Sequence, residues 1–206
     1  MLRRKIYNRL MEWKSNGDKP LLVYGQRQIG KTFIIDRFGK ENFKSYIYID
    51  LSKDRRLANM FESNGGDADR MIMGIEVALD LGDVDPNDTL IFLDEIQECP
   101  AARSALKSFA MDGRYKVIAS GSMLGVTDRI DTDENHHLIP MGYEEHVRMY
   151  GMDFEEFLWA NGVSEKNVGS AKKSIVACEP MDEILLGKLE ELFRIFQIVG
   201  GMPASV

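Results

Sequence analysis

Apolar residues recur along this chain of 206 residues in two rhythms. Short runs rich in β-branched and aromatic residues fall at 21–24, 46–49, 89–96 and 115–119, and these predict buried strands. Between them the apolar positions return at helical spacing. Leu2, Ile6, Leu10 and Trp13 predict an opening amphipathic helix, which the turn SNGDKP at 15–20 ends. Phe33, Ile34, Ile35 and Phe38 predict a second helix, stopping near Gly39. Asp50 and Ser52 read as caps for a helix over 53–62, the other reading being contact with a site at the strand end. Asp67 caps the next helix, running to 79–81, and Pro100 opens another that continues over 101–111 with Ala102, Ala105, Leu106 and Phe109 on one face. The polar stretch 123–135 reads as a surface loop, and 137–141 and 146–149 as short strands of the same sheet or its edge. From Asp153 the pattern turns helical, and Leu185, Leu189, Leu192, Ile195, Phe196 and Val199 form a long apolar stripe. Strands alternating with helices predict an α/β domain over 1–150, and 151–206 a helical region after it.

The first strand runs straight into LLVYGQRQIGKT, which holds a complete G-x-x-x-x-G-K-[ST] pattern at Gly25, Gly30, Lys31 and Thr32. Backbone N–H groups must wrap a nucleotide's β-phosphate, and glycine lets the chain come that close. Lys31 would reach the β- and γ-phosphates as a point charge, and Thr32 would offer its hydroxyl to Mg²⁺. With Gly at roughly 7% of residues, the pattern arises by chance in only about one 200-residue chain in a hundred. Strand before and helix behind are the setting the motif demands, with the helix N-terminus aimed at the anion. The nucleotide-binding set is therefore Gly25, Gln28, Ile29, Gly30, Lys31, Thr32 and Phe33.

A second motif closes the third strand, where Leu90, Ile91, Phe92 and Leu93 deliver Asp94 and Glu95 to its C-terminal end. Open parallel sheets bind ligands at that end. Asp94 is placed to hold Mg²⁺ and Glu95 to polarise the attacking water. The fourth strand ends in Ser120 and Ser122, and Ser122, slightly ahead of Ser120, is the candidate to sense the γ-phosphate. Arg27 and Gln28 lie inside the loop, where phosphate, a neighbouring strand or solvent are equal readings. Arg129, with Arg103 and Arg114 in competition, is the nearest candidate for an arginine finger. His136, His137 and His146 lack a ligand pattern and read as surface or strand-pairing residues, not a metal site.

Composition narrows the partners. Lys and Arg number 26 against 33 Asp and Glu, a net charge of −7 that weighs against a main partner in the nucleic-acid backbone. The basic run Arg3, Arg4, Lys5, Arg9 reads as the solvated face of the opening helix. Two cysteines, Cys99 and Cys178, without a C-x-x-C pair read as reduced thiols, and the 12 methionines as core filling. No stretch approaches a membrane span and no signal peptide is evident, so the expected location is cytoplasmic.

Taken together, GQRQIGKT, IFLDEIQECP, ASGSMLG, FEEFLWANG at 154–162 and GGMP at 200–203 resemble AAA-type P-loop ATPases of bacteria and archaea. The resemblance implies a three-layered P-loop core with a mostly parallel sheet, in which one strand separates the two nucleotide motifs. It implies Mg²⁺-dependent ATP hydrolysis, with Glu95, Lys31 and Ser122 acting on the reacting phosphate and Thr32 and Asp94 on the metal. Family members resemble signalling ATPases that act as switches, so a protein partner or self-association is expected. They carry a further helical part and a C-terminal domain of unknown function after GGMP, so this sequence is expected to be the N-terminal part of a longer protein.

Overall fold

The computed structural model describes residues 2–64, 66–122 and 142–205. Its contacts group the chain into two units, Asn8–Met149, and Met1–Tyr7 with Tyr150–Val206.

The longest apolar run becomes β3 (Thr89–Asp94), buried along its whole length. Only a central strand needs apolar residues on both faces. Around it lie β1 (Leu21–Gly25), β2 (Ser45–Asp50), β4 (Lys116–Ser122) and β5 (Glu145–Met149), in the order β2-β3-β4-β1-β5. Every pairing is parallel. β4 thus separates the strands that carry the two motifs, as the resemblance implies. The edge strands β2 and β5 expose alternate residues, the mark of an element covered on one side.

Alternation divides the sheet into two faces. Leu22, Ile47, Ile49, Ile91, Leu93, Val117 and Ala119 share one core with Leu57, Phe61, Met71, Ile75, Leu106 and Phe109, from α3 (Arg55–Asn64), α4 (Ala68–Leu79) and α5 (Pro100–Asp112). The intervening residues turn to the other face, where α2 (Lys31–Asn42) packs across β1, β2, β3 and β4. That is the three-layered α/β arrangement expected.

Several boundaries differ from the sequence reading. The opening helix α1 spans Ile6–Asn16 and buries Leu10 and Trp13, whereas Leu2 lies before it and packs in the core of the helical unit. Asp50 and Ser52 do not cap α3. Asp54 does, accepting from the Arg56 and Leu57 N–H groups at 3.0 and 3.4 Å, while Asp50 accepts from the Ser52 hydroxyl at 2.6 Å and from Lys53 at 2.6 Å. Asp67 does cap α4, accepting from the Arg70 N–H at 3.2 Å. The expected strand at 137–141, the loop at 123–135, and Arg129, His136 and His137 lie outside the described residues.

The helical unit contains α6 (Phe154–Ala160), α7 (Glu165–Ala177) and α8 (Glu183–Val199) around Met152, Phe157, Leu158, Val168 and Leu192. Phe196 contributes from α8, its ring centroid 5.2 Å from that of Phe157. Of the α8 stripe only Leu192 is fully buried, and Ile195 is 41% exposed. In the basic run Arg3, Lys5 and Arg9 are exposed, as expected of a solvated face, but Arg4 is not, being only 5% exposed. Its guanidinium sits 3.2 Å from the Glu156 carboxylate and donates to the Tyr150 carbonyl at 2.6 Å. Glu156 also closes a capping box with Asp153 and accepts the Lys5 N–H at 2.6 Å.

Removing one partner of such a buried pair strands a charge. Glu156→Ala is therefore expected to lower stability by about 3–5 kcal/mol, read as a fall in the urea midpoint at unchanged slope. A loss under 1 kcal/mol would show that the pair is not buried as described.

Candidate functional site

Because the strands are parallel, their C-terminal ends lie together, and β1, β3 and β4 end in Gly25, Asp94 and Ser122. The two-residue period puts Tyr48, Asp94 and Ser120 on the face that α2 covers. Thr32, in the first turn of α2, closes the group.

Asp94 is the centre. Its carboxylate is 3% exposed, and an ionised carboxylate so buried must be hydrogen-bonded to be tolerated. Oδ2 accepts from the Thr32 hydroxyl at 2.8 Å and from the Tyr48 hydroxyl at 3.1 Å. Oδ1 accepts from the Ser120 hydroxyl and from the Glu95 N–H at 3.1 Å. Burial, reinforced by the Asp94 and Asp50 carboxylates, pushes the Tyr48 phenol well above its ordinary range. It therefore stays protonated and donates.

The loop holds Lys31 at 9% exposure, donating to the carbonyls of Gly25 at 3.1 Å and Gln26 at 2.7 Å. Burial lowers its pKa, against the pull of Glu95 and Asp94 and with a small push from Arg27. An incoming phosphate would give this desolvated ammonium a full counter-charge. Gly30 is left-handed, φ 89°, and is the N-cap of α2 with no side chain to bond the helix's first N–H groups. Those donors have no intrahelical partner and face the end of the loop, which is what an anion requires. Gly25 is needed for a further reason. A Cβ there would lie 2.2 Å from the Met149 carbonyl oxygen of β5.

Of the other predicted residues, Gln28 and Phe33 are exposed, with Gln28 left-handed at φ 64°. Ile29 is fully buried against Gly25, so only its backbone can face a ligand. Glu95 is half-buried and left-handed, φ 55° and ψ 47°, a conformation costing a non-glycine residue roughly 1–2 kcal/mol. Ser120 and Ser122 have different tasks: Ser120 spends its hydroxyl on Asp94, and the Ser122 N–H donates to Gln97 Oε1 at 3.2 Å. Neither Arg103 nor Arg114 faces the loop unpaired. Arg103 pairs with Glu144 at 3.0 Å, and Arg114 with Asp69 and Asp112, before the start of β4 and so at the far end of the sheet. His146 lies 2.8 Å from Glu144 Oε1. Among the described residues no group of three His, Cys, Asp or Glu is placed to hold a metal ion. Tyr48 and Gln97 were missed from sequence. Tyr48 could have been found by pairing β2 with β3, which sets it two residues short of Asp50 opposite Asp94.

The profile of the AAA domain family matches residues 17–158, which takes in the loop, both motif strands and the start of the helical region. The chain belongs to the AAA domain family. Its nucleotide-binding, P-loop character follows from that membership. Among solved structures this AAA chain is similar to the Walker-type ATPase PABY2304 of Pyrococcus abyssi, at 16% identity and a TM-score of 0.51, over 98% of this chain and 65% of that one. It is also similar to the ORC2 protein of Aeropyrum pernix in its ADPNP and ADP complexes, at 15% identity, a TM-score of 0.43, and 76% and 48% coverage. PCH-2 of C. elegans matches at 12% identity and a TM-score of 0.43, over 95% and 55%. The chain thus spans about half to two thirds of the length of the structures it resembles. No curated protein sequence matches it. No described helix is long and apolar enough to cross a membrane.

The close approach at Gly25 yields a test of the site's framework. Gly25→Ala is expected to cost about 1–3 kcal/mol through overpacking, a fall in melting temperature measurable without any nucleotide. An unchanged melting temperature would mean that β5 does not press on the loop.

Proposed function

We propose that this AAA chain binds ATP with Mg²⁺ at the ends of β1, β3 and β4 and hydrolyses it. The observation that carries the reading is the 2.8 Å contact between the Thr32 hydroxyl and Asp94 Oδ2, which joins two motifs 62 residues apart in sequence. Both are hard oxygen donors. Such a pair suits Mg²⁺, which keeps most of its waters and takes few protein ligands. Thr32 and Asp94 would hold the ion, which would supply positive charge against the charge developing on the phosphates.

The chain's own residues supply the rest. The loop from Gly25 to Gly30 and the first turn of α2 would wrap the phosphates with N–H groups, Gln28 and Ile29 through their backbone and Phe33 beside them. Lys31 would exchange its two carbonyl partners for β- and γ-phosphate oxygens. Glu95, half-buried beside Asp94, would take the proton of the attacking water as it adds to the γ-phosphorus and ADP leaves. Ser122 would report the γ-phosphate, while Ser120 and Tyr48 hold Asp94 in place. In this reading residues 1–150 form the ATPase domain and 151–206 a helical region in a cytoplasmic protein. Its output is a conformational switch, felt by a protein partner or a second copy. A net charge of −7 speaks against nucleic acid as the main partner.

One observation favours slow turnover, a nucleotide-gated module more than a fast hydrolase: Arg103 and Arg114 are both committed to carboxylates. A rate that rises with protein concentration would point to an arginine supplied by a second copy.

Saturating ATP with Mg²⁺, at ~100 times the dissociation constant, is expected to add about 2.7 kcal/mol to stability and raise the melting temperature by roughly 5–11 °C. Lys31→Ala should shrink that shift, and an undiminished shift would place the nucleotide elsewhere. Glu95→Gln should slow hydrolysis by about 10²–10⁴ with ATP affinity within a few-fold. Hydrolysis by Glu95→Gln at the wild-type rate would remove Glu95 from the role of base.

A further inference from the structure

Gln97 is a buried polar side chain that the reading above leaves without a task. It sits in the single turn of 3₁₀ helix, Ile96–Glu98, that follows Glu95, and is 7% exposed. Buried amides keep their hydrogen bonds, and this one has partners at both ends. Its Nε2 donates to Glu95 Oε2, and its Oε1 accepts the Ser122 N–H at 3.2 Å.

The direction of the amide is decided by chemistry. A backbone N–H can only donate and an ionised carboxylate can only accept, so the oxygen must face Ser122 and the nitrogen must face Glu95. The reversed amide would set donor against donor at one end and acceptor against acceptor at the other. One rigid planar group therefore spans the end of β4 and the carboxylate after β3. Ser122 stands opposite Gly25 in the β1 to β4 register, at the mouth of the phosphate loop.

We propose that Gln97 is a positioning residue that couples the γ-phosphate end of β4 to the carboxylate of Glu95. The proposal rests on the reading of Glu95 as the base. Without nucleotide the amide holds the carboxylate toward the turn, and with nucleotide the displaced β4 end re-aims it toward the attacking water. Glu95 touches the reacting atoms, and Gln97 acts through it.

The test uses Gln97→Met, which keeps the buried length and removes both hydrogen bonds, with Gln97→Ala as a second variant. Either should lower kcat by ~10–100-fold, the usual cost of losing an orienting partner, while KM and the affinity for a non-hydrolysable ATP analogue stay within about three-fold. In the Glu95→Gln background the same change should cost less than about two-fold, because residues acting as a unit are non-additive. A readout free of turnover comes from NMR. The Gln97 side-chain amide signals, identified by their loss in Gln97→Met, should move in nucleotide-free Glu95→Ala. They should move again when the analogue and Mg²⁺ bind wild type but not Lys31→Ala. Fully additive rate losses, or amide signals indifferent to both Glu95→Ala and the analogue, would overturn the coupling, and where turnover is too slow to follow the signals alone decide. Wild-type hydrolysis by Gln97→Met beside an impaired Glu95→Gln overturns only the role of Gln97. Wild-type hydrolysis by Glu95→Gln overturns the base assignment on which the proposal stands.

Discussion

Burying the Asp94 carboxylate is the constraint on which the rest of the site depends. A charge taken almost wholly out of water is stable only if the protein replaces its hydration with donors. Four converge here, from Thr32, Tyr48, Ser120 and the Glu95 N–H. They come from α2, β2, β4 and the turn after β3, so the carboxylate can be satisfied only when the sheet is assembled in the order β2-β3-β4 with α2 laid across it. Topology and site are one requirement. A register slip of one residue would turn Tyr48 or Ser120 to the opposite face and leave Asp94 short of donors.

Backbone strain marks the same region. Four described residues other than glycine have positive φ, and two of them, Gln28 and Glu95, stand at this site. The cost is sustained by what surrounds them. Ile29 is buried beside Gln28, while the Glu98 N–H donates to the Glu95 carbonyl at 2.9 Å and Gln97 holds its carboxylate. In each case the left-handed residue turns the chain sharply between a strand and a helix. The strand end then stays open to a ligand without being covered by its own continuation.

What could be read from the sequence was whatever is written in local spacing. The phosphate loop is contiguous, the apolar run of β3 needs only its neighbours to be recognised, and the Asp94 and Glu95 pair sits where that run ends. Residues whose partners are far away in the chain were not legible. Tyr48 looks like one more aromatic in a strand until pairing sets it across from Phe92 and within reach of Asp94. Gln97 looks like a helix-start polar residue, and its meaning depends on Ser122, 25 positions away. Arg4 was misread because a basic run near a helix is usually solvated, and nothing local says that its partner will be the buried Glu156. The α8 stripe shows the converse. Its spacing is plain, but how much of it is covered depends on neighbours, and Ile195 stays largely outside while Leu192 goes in.

The charged groups of the site already have partners within the chain. Lys31 is bonded to two loop carbonyls, Asp94 to Thr32 and Tyr48, and Glu95 to Gln97. Phosphate binding therefore exchanges contacts instead of creating them, and the affinity it yields is a difference between two satisfied states. The balance favours the ligand most at Lys31. Its carbonyl partners are neutral and its pKa is held down by burial, so a phosphate oxygen brings the counter-charge that the loop lacks. If Glu95 is the base proposed above, the exchange there runs the other way, because its carboxylate would have to give up a charge-assisted bond to face a water molecule. In the proposed mechanism, nucleotide capture and release of the base would thus draw on opposite ends of the same network. On the proposed reading, a chain built this way would hold its nucleotide firmly while hydrolysing it slowly.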